Sequence, residues 1–110
     1  MPLGSRYRAK STGSVRYSHK VLVSIISLAT EEIQGVTALA GRGVRIDVND
    51  KEVTIDVYVD VSTKVSCSDV AFRVQENIKK SLETMTDFKA AKINVNVLGL
   101  NFDEEHAVVL

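Results

Sequence analysis

The sequence predicts an α+β fold: a two-layer α/β sandwich in β-α-β-β-α-β order, with two helices on one face of an antiparallel-rich sheet. Three observations carry that prediction. Residues 42–61 alternate apolar and polar side chains on both arms of a hairpin. Two segments of helical period each open on a serine, Ser18 and Ser66. A further alternating run, residues 92–98, follows the second helix.

In chain order, residues 1–13 lack periodicity and are rich in Ser, Gly and basic side chains, which predicts a disordered tail. Its opening Pro2-Leu3-Gly4-Ser5 resembles a cloning remnant. The folded domain spans residues 14–102. It begins with a short strand over residues 14–17, with Val15 and Tyr17 on one face. Ser18 is placed to cap a helix running to about Gln34. At about 100° per residue, Val21, Leu22, Ile25, Ile26, Leu28, Ala29 and Ile33 fall on one broad arc. Gly35 is placed to end the helix in a left-handed conformation. Residues 36–43, with two glycines, read as a loop.

The hairpin follows. Val44, Ile46 and Val48 alternate with Arg45 and Asp47, and Val53, Ile55, Val57, Val59 and Val61 alternate with Thr54, Asp56, Tyr58 and Asp60. A turn at Asp50-Lys51 or a loop over residues 49–52 both set Val48 opposite Val53, so both bury the same face. Ser66 and Asp69 form a capping box ahead of a stripe of Val70, Ala71, Val74, Ile78, Leu82 and Met85. Thr86-Asp87 ends that helix. In the last strand Ile93, Val95 and Val97 point inward and Asn94 and Asn96 outward. Ile46, Ile55 and Val95 are the expected central core. Residues 103–110 form an acidic and then apolar tail.

Composition narrows the function classes. The chain of 110 residues carries 14 basic and 14 acidic side chains. A net charge of zero argues against a dedicated nucleic-acid or anionic-membrane binder, since both work largely through cationic charge. No apolar run approaches the roughly 20 residues that span a bilayer. The polar first residues carry Arg6, Arg8 and Lys10 with no apolar segment directly after them, which predicts no secretory signal. Cys67 is the only cysteine, which suits a reducing compartment.

The outward face of the sheet is the candidate site: Arg45, Asp47, Asp56, Tyr58, Asp60, Asn94 and Asn96. Three carboxylates suggest a divalent cation. Asp56 and Asp60, however, lie four residues apart on one strand, roughly 13 Å, too far for two ligands of one ion. A single-strand RNA reader of this topology stacks bases on several aromatics among basic residues. Tyr58 stands alone there among carboxylates. The face therefore reads as a protein contact surface, with Tyr58 as anchor, or as solvated sheet.

Glu32 falls inside the apolar arc; it is either a buried carboxylate or a side chain that reaches water or pairs with Arg42 or Arg45. Gly41-Arg42-Gly43 leads into a strand rather than a helix, so it is a turn and not a phosphate loop. Cys67 opens the second helix, but a Cys-His pair needs His19 close by. His106 lies in the tail. The chain has no zinc-ligand spacing, nucleophile elbow or nucleotide fingerprint. No catalytic residue, cofactor or metal is assigned.

Several separated motifs, in order, resemble the alkaline shock protein family. They are Glu32-Ile33-Gln34-Gly35-Val36, Gly43-Val44, Asn49-Asp50, and Glu52-Val53-Thr54-Ile55-Asp56-Val57-Tyr58-Val59. Val74-Gln75-Glu76-Asn77-Ile78, Met85-Thr86 and Ile93-Asn94-Val95-Asn96-Val97-Leu98-Gly99-Leu100 continue the match, which covers residues 13–102. The chain departs from the family at Ser68-Asp69, where Pro-Glu is common, and at Asp87, where Gly is. These departures bear on the subgroup and not on the fold. The resemblance implies a small, cytoplasmic, non-enzymatic protein of general and envelope stress in Gram-positive bacteria. It implies protein partners, a membrane anchor protein among them, and homo-oligomers. The expectation is an interaction or scaffold protein in cell-envelope homeostasis. The alternatives are a regulator of a metabolic enzyme, such as one in fatty-acid synthesis, and an RNA-binding module.

Overall fold

The hairpin turns on Asp50 and Lys51. In the computed structural model, which describes residues 16–101, Asp50 sits at φ 59° and Asn49 pairs directly with Glu52. A two-residue turn of this hand needs a positive φ at its first position, and Asp tolerates it better than most residues. The predicted register follows: Val48 faces Val53, Ile46 faces Ile55, and Val44 faces Val57.

The elements run α1 (His19–Glu31), β1 (Val36–Asn49), β2 (Glu52–Ser62), α2 (Cys67–Met85) and β3 (Lys89–Asn101). The strands lie in the order β1-β2-β3. β1 pairs antiparallel with β2, and β2 parallel with β3. The sheet is therefore mixed rather than antiparallel-rich. α2 is the long crossover that a parallel pair requires. The fold is α+β, in the order α-β-β-α-β.

The expected first strand is absent where it is described. Arg16 and Tyr17 are not extended into the sheet, and Ser14 and Val15 lie outside the described residues. Tyr17 instead packs edge-on against Phe88, with ring centroids 6.0 Å apart, which ties the entry of α1 to the start of β3. The tails at residues 1–13 and 103–110 also lie outside the described residues.

Ser18 caps α1 by accepting from the Val21 amide at 3.1 Å. Ser66 caps α2 through the Asp69 amide, and Asp69 supplies an acidic charge to the first turn. α1 stops at Glu31, three residues short of Gln34. Gly35, at φ 107°, makes the turn into β1. A Cβ there would fall 2.7 Å from Val70, so the chain passes close beneath α2.

Residues 36–43 are strand, not loop. Val36 pairs with Val61, Ala38 with Asp60 and Leu39 with Val59. The register then slips before Val44 meets Val57, and Gly41 and Gly43 absorb the slip at φ 54° and 72°. The two glycines mark a bulge inside a long strand.

Both helices lie over the face carrying the odd-numbered residues of β2. Val53, Ile55, Val57, Val59 and Val61 are fully buried against Leu22, Ile26 and Ala29 of α1 and Val70, Val74, Ile78 and Leu82 of α2. Ile46 and Val95 are only partly buried, a correction to their expected central place. They sit on the two edge strands of a three-stranded sheet. Val48, at the hairpin tip, Met85, at the end of α2, and Val21 and Leu28, on the outer side of α1's arc, are exposed. The helical period placed all three helix residues on buried stripes, but two helices leave their outer flanks uncovered.

Candidate functional site

The open face of the sheet assembles from the even-numbered residues of β2. Arg45 of β1 and Asn94 of β3 flank Asp56 on either side. The Asn94 amide donates to Asp56 Oδ1 at 3.0 Å. Asp47 sits beside Thr54 at the hairpin end. Asn96 lies next to Tyr58 and donates through Nδ2 to the Val57 carbonyl at 3.2 Å. Asp60 faces Ala38 on one side and Gly99 on the other. A Cβ on Gly99 would fall 2.6 Å from Asp60 Oδ1, so the carboxylate lies directly over this glycine. Arg45, Asp47, Asp56, Tyr58, Asp60, Asn94 and Asn96 thus share one surface, with Arg45 and Asp47 exposed and the others half-buried.

Sequence periodicity missed Leu98. It occupies a register slip in β3 opposite the step from Val59 to Asp60 and is 55% exposed. Its side chain reaches across β2: a Cβ on Gly41 would lie 2.6 Å from Leu98 Cδ1 and 3.9 Å from Tyr58 Cβ. Tyr58, Leu98 and the bare backbone of Gly41 therefore form the apolar centre of the face, with Arg45, Asp56 and Asp60 around it. The signal in the sequence was the pair Val97-Leu98, which breaks the alternation.

Among the described residues, no group of three or more His, Cys, Asp and Glu is placed to hold a metal ion. Cys67 is exposed at the first position of α2. His19 opens α1, beside a groove that Ser18 and Met85 line together at the far end of α2. A helix of 19 residues separates the two ends by about 28 Å, so Cys67 and His19 form no pair. Glu32 is exposed, caps the end of α1, and accepts from Asn77 Nδ2 at 2.9 Å rather than from Arg42 or Arg45.

A second surface lies on the helices. A groove of about 530 Å³ between α1 and α2 is lined by Val21, Ile25, Leu28 and Met85, with Lys20 and Glu32 at its margins. Val21, Leu28 and Met85 in this lining are apolar residues that the helix stripes leave uncovered.

The model of the alkaline shock protein 23 family, described by a cell envelope-related function, matches residues 39–102. That span holds β2, α2, β3 and most of β1, and so the whole candidate face. The chain belongs to this family. It is 34% identical over 107 residues to the uncharacterised protein YqhY of Bacillus subtilis, covering 83% of this chain and 79% of that one. It is 21% identical over 110 residues to a stress response regulator gls24 homolog of Streptococcus pyogenes, covering 84% of this chain and 62% of the relative. Among solved structures it resembles a MamM CTD variant at a TM-score of 0.62 and 13% identity, over 74% of this chain and 99% of the other. At that identity the likeness shows the fold alone. The alkaline shock family assignment agrees with the motifs read from the sequence. Among the described residues, no helix is long and apolar enough to cross a membrane.

Proposed function

We propose that this alkaline shock family member is a non-enzymatic interaction protein of stress and cell-envelope homeostasis, working in the cytoplasm as a scaffold that docks other proteins on its open sheet face. One observation carries the reading. Half-buried Tyr58 and exposed Leu98 form an apolar centre, and Arg45, Asp56 and Asp60 surround it with both signs of charge. Protein interfaces concentrate affinity in a central aromatic anchor and use a polar rim for register. The family's cell envelope-related description and a relative named as a stress response regulator support the same direction. A membrane anchor protein is a fitting partner, because such a partner places a protein at the envelope without a spanning helix of its own.

The test is capture from a Gram-positive lysate with wild type, Tyr58→Ala and Asp56→Lys. Bound proteins identified by mass spectrometry should be lost or depleted at least several-fold in both variants. An identical set of partners in all three samples removes the sheet face as the docking surface.

A further inference from the structure

The two edges of the sheet are protected unequally. β1 carries Arg42, Arg45 and Asp47 and is broken by the bulge at Gly41 and Gly43. Charges and bulges are the usual means of keeping an edge from pairing with another strand. β3 has lysines only at its start, Lys89 and Lys92, and from Ile93 to Asn101 it contains no charge and no proline.

Hydrogen-bond parity shows which β3 groups face outward. The two-residue turn makes Asn49 and Glu52 a hydrogen-bonded pair, so the even residues of β2 bond to β1 and the odd ones turn to β3. Val57 opposite Val95 then bonds to the neighbours of Val95, and Ile93, Val95 and Val97 direct their N–H and C=O groups away from the sheet. α2 covers the first part of this edge. Glu83 accepts from the Ala90 amide at 3.0 Å, and Gln75 Nε2 donates to the Ile93 carbonyl at 3.0 Å. Both caps lie ahead of Asn94. Beyond them the backbone of Val95 and Val97 points outward, beside Val97 and Leu100 side chains that are 37% and 48% exposed.

We propose that this edge is an interface between two copies of the chain, with β3 pairing antiparallel to β3 of a second copy about a two-fold axis at Asn96. The inference deepens the scaffold reading by naming the surface through which copies meet. Val95 of each copy stands opposite Val97 of the other, and each such pair exchanges two backbone hydrogen bonds. Asn96 faces Asn96 on the open side, where one amide oxygen accepts from the other amide nitrogen. The inner side receives valine against valine. Lys92 of one copy lies eight residues along the ladder from Lys92 of the other, roughly 27 Å, so no like charges meet. A neutral, self-complementary strand suits a second copy better than a charged partner, which finds no counter-charge on it. The product is a closed, isologous dimer with a six-stranded sheet, both helix layers on one side and a doubled open face.

Sedimentation velocity on the full chain over a wide concentration range tests this, with Asn96→Lys, Asn96→Asp and Val95→Pro. Wild type should sediment at twice the monomer mass. Each charged variant places like charges across the axis and should weaken the dimer by roughly tenfold or more. An equimolar mixture of the Lys and Asp variants should recover it. Val95→Pro removes an outward N–H without breaking a bond to β2, so it should be monomeric with an unchanged far-UV circular dichroism spectrum. A wild type that stays monomeric throughout, or charged variants that dimerise as wild type does, overturns the proposal. A monomer that still captures proteins through Tyr58 overturns the edge pairing and leaves the sheet-face reading standing.

Discussion

Asn77 of α2 donates to the carbonyl of Ala29 in α1 at 2.7 Å, joining the helices where α1 ends. Ala29 is in the last turn of α1, where carbonyls have no partner within the helix. The same amide nitrogen also reaches Glu32 Oε1, on the capping residue. One side chain thus satisfies an orphan carbonyl and fixes the crossing of the helices. Asn77→Ala should destabilise the fold by about 1–2 kcal/mol, because the Ala29 carbonyl is buried and left without its partner. Urea unfolding followed by circular dichroism measures it. A change below ~0.3 kcal/mol would show that the bond contributes nothing.

Burial separates two isoleucines that the hairpin pattern treats alike. Ile55 has no exposed surface, while its cross-strand neighbour Ile46 is only partly buried. Ile55→Ala should cost on the order of 2–5 kcal/mol, and Ile46→Ala less than half as much. Equal losses in chemical denaturation would contradict the central place of β2.

Gly41 is required by its backbone angle, and a Cβ there would also press on Leu98. It sits at φ 54°, and that Cβ would fall 2.6 Å from Leu98 Cδ1. Gly41→Ala should cost about 1–2 kcal/mol, part of it backbone strain and part steric. Leu98→Ala in the same chain should return the steric part. The coupling energy of a double-mutant cycle reads it directly, and strict additivity would mean that the two residues do not touch.

The serine caps are independent of one another in the chain. Ser18 and Ser66 each accept one amide from the first turn of their helix, at 3.1 and 3.4 Å. Replacing either by Ala should lower stability by about 1 kcal/mol, and by Gly only a few tenths. Thermal melts of the four variants check the ranking, and Gly variants as weak as the Ala ones would argue against side-chain capping.

Much of this architecture was legible because its causes are local. Ser18 and Ser66 announce both helix starts through the hydrogen bond that each side chain offers. The register of the hairpin follows from a side-chain period of two and a turn residue that tolerates positive φ. The outward placement of Arg45, Asp56, Tyr58, Asn94 and Asn96 follows from the same period. Residues 36–43 were not legible as strand, since two glycines and a broken alternation mimic a loop. Only pairing with β2, a partner some twenty residues away, makes them extended.

The sequence by itself determined the elements with strong periods, the inward set of β2 and the family to which the chain belongs. The tertiary structure decided what those elements meet. It sent Tyr17 to Phe88 instead of into the sheet, made β2 the central strand, and brought Leu98 over Tyr58 and Gly41. It also left Val21, Leu28 and Met85 in the open. Periodicity reports which way a side chain points along its own element. Whether a neighbour lies there depends on contacts between residues far apart in the chain, and two helices over three strands do not cover every apolar flank.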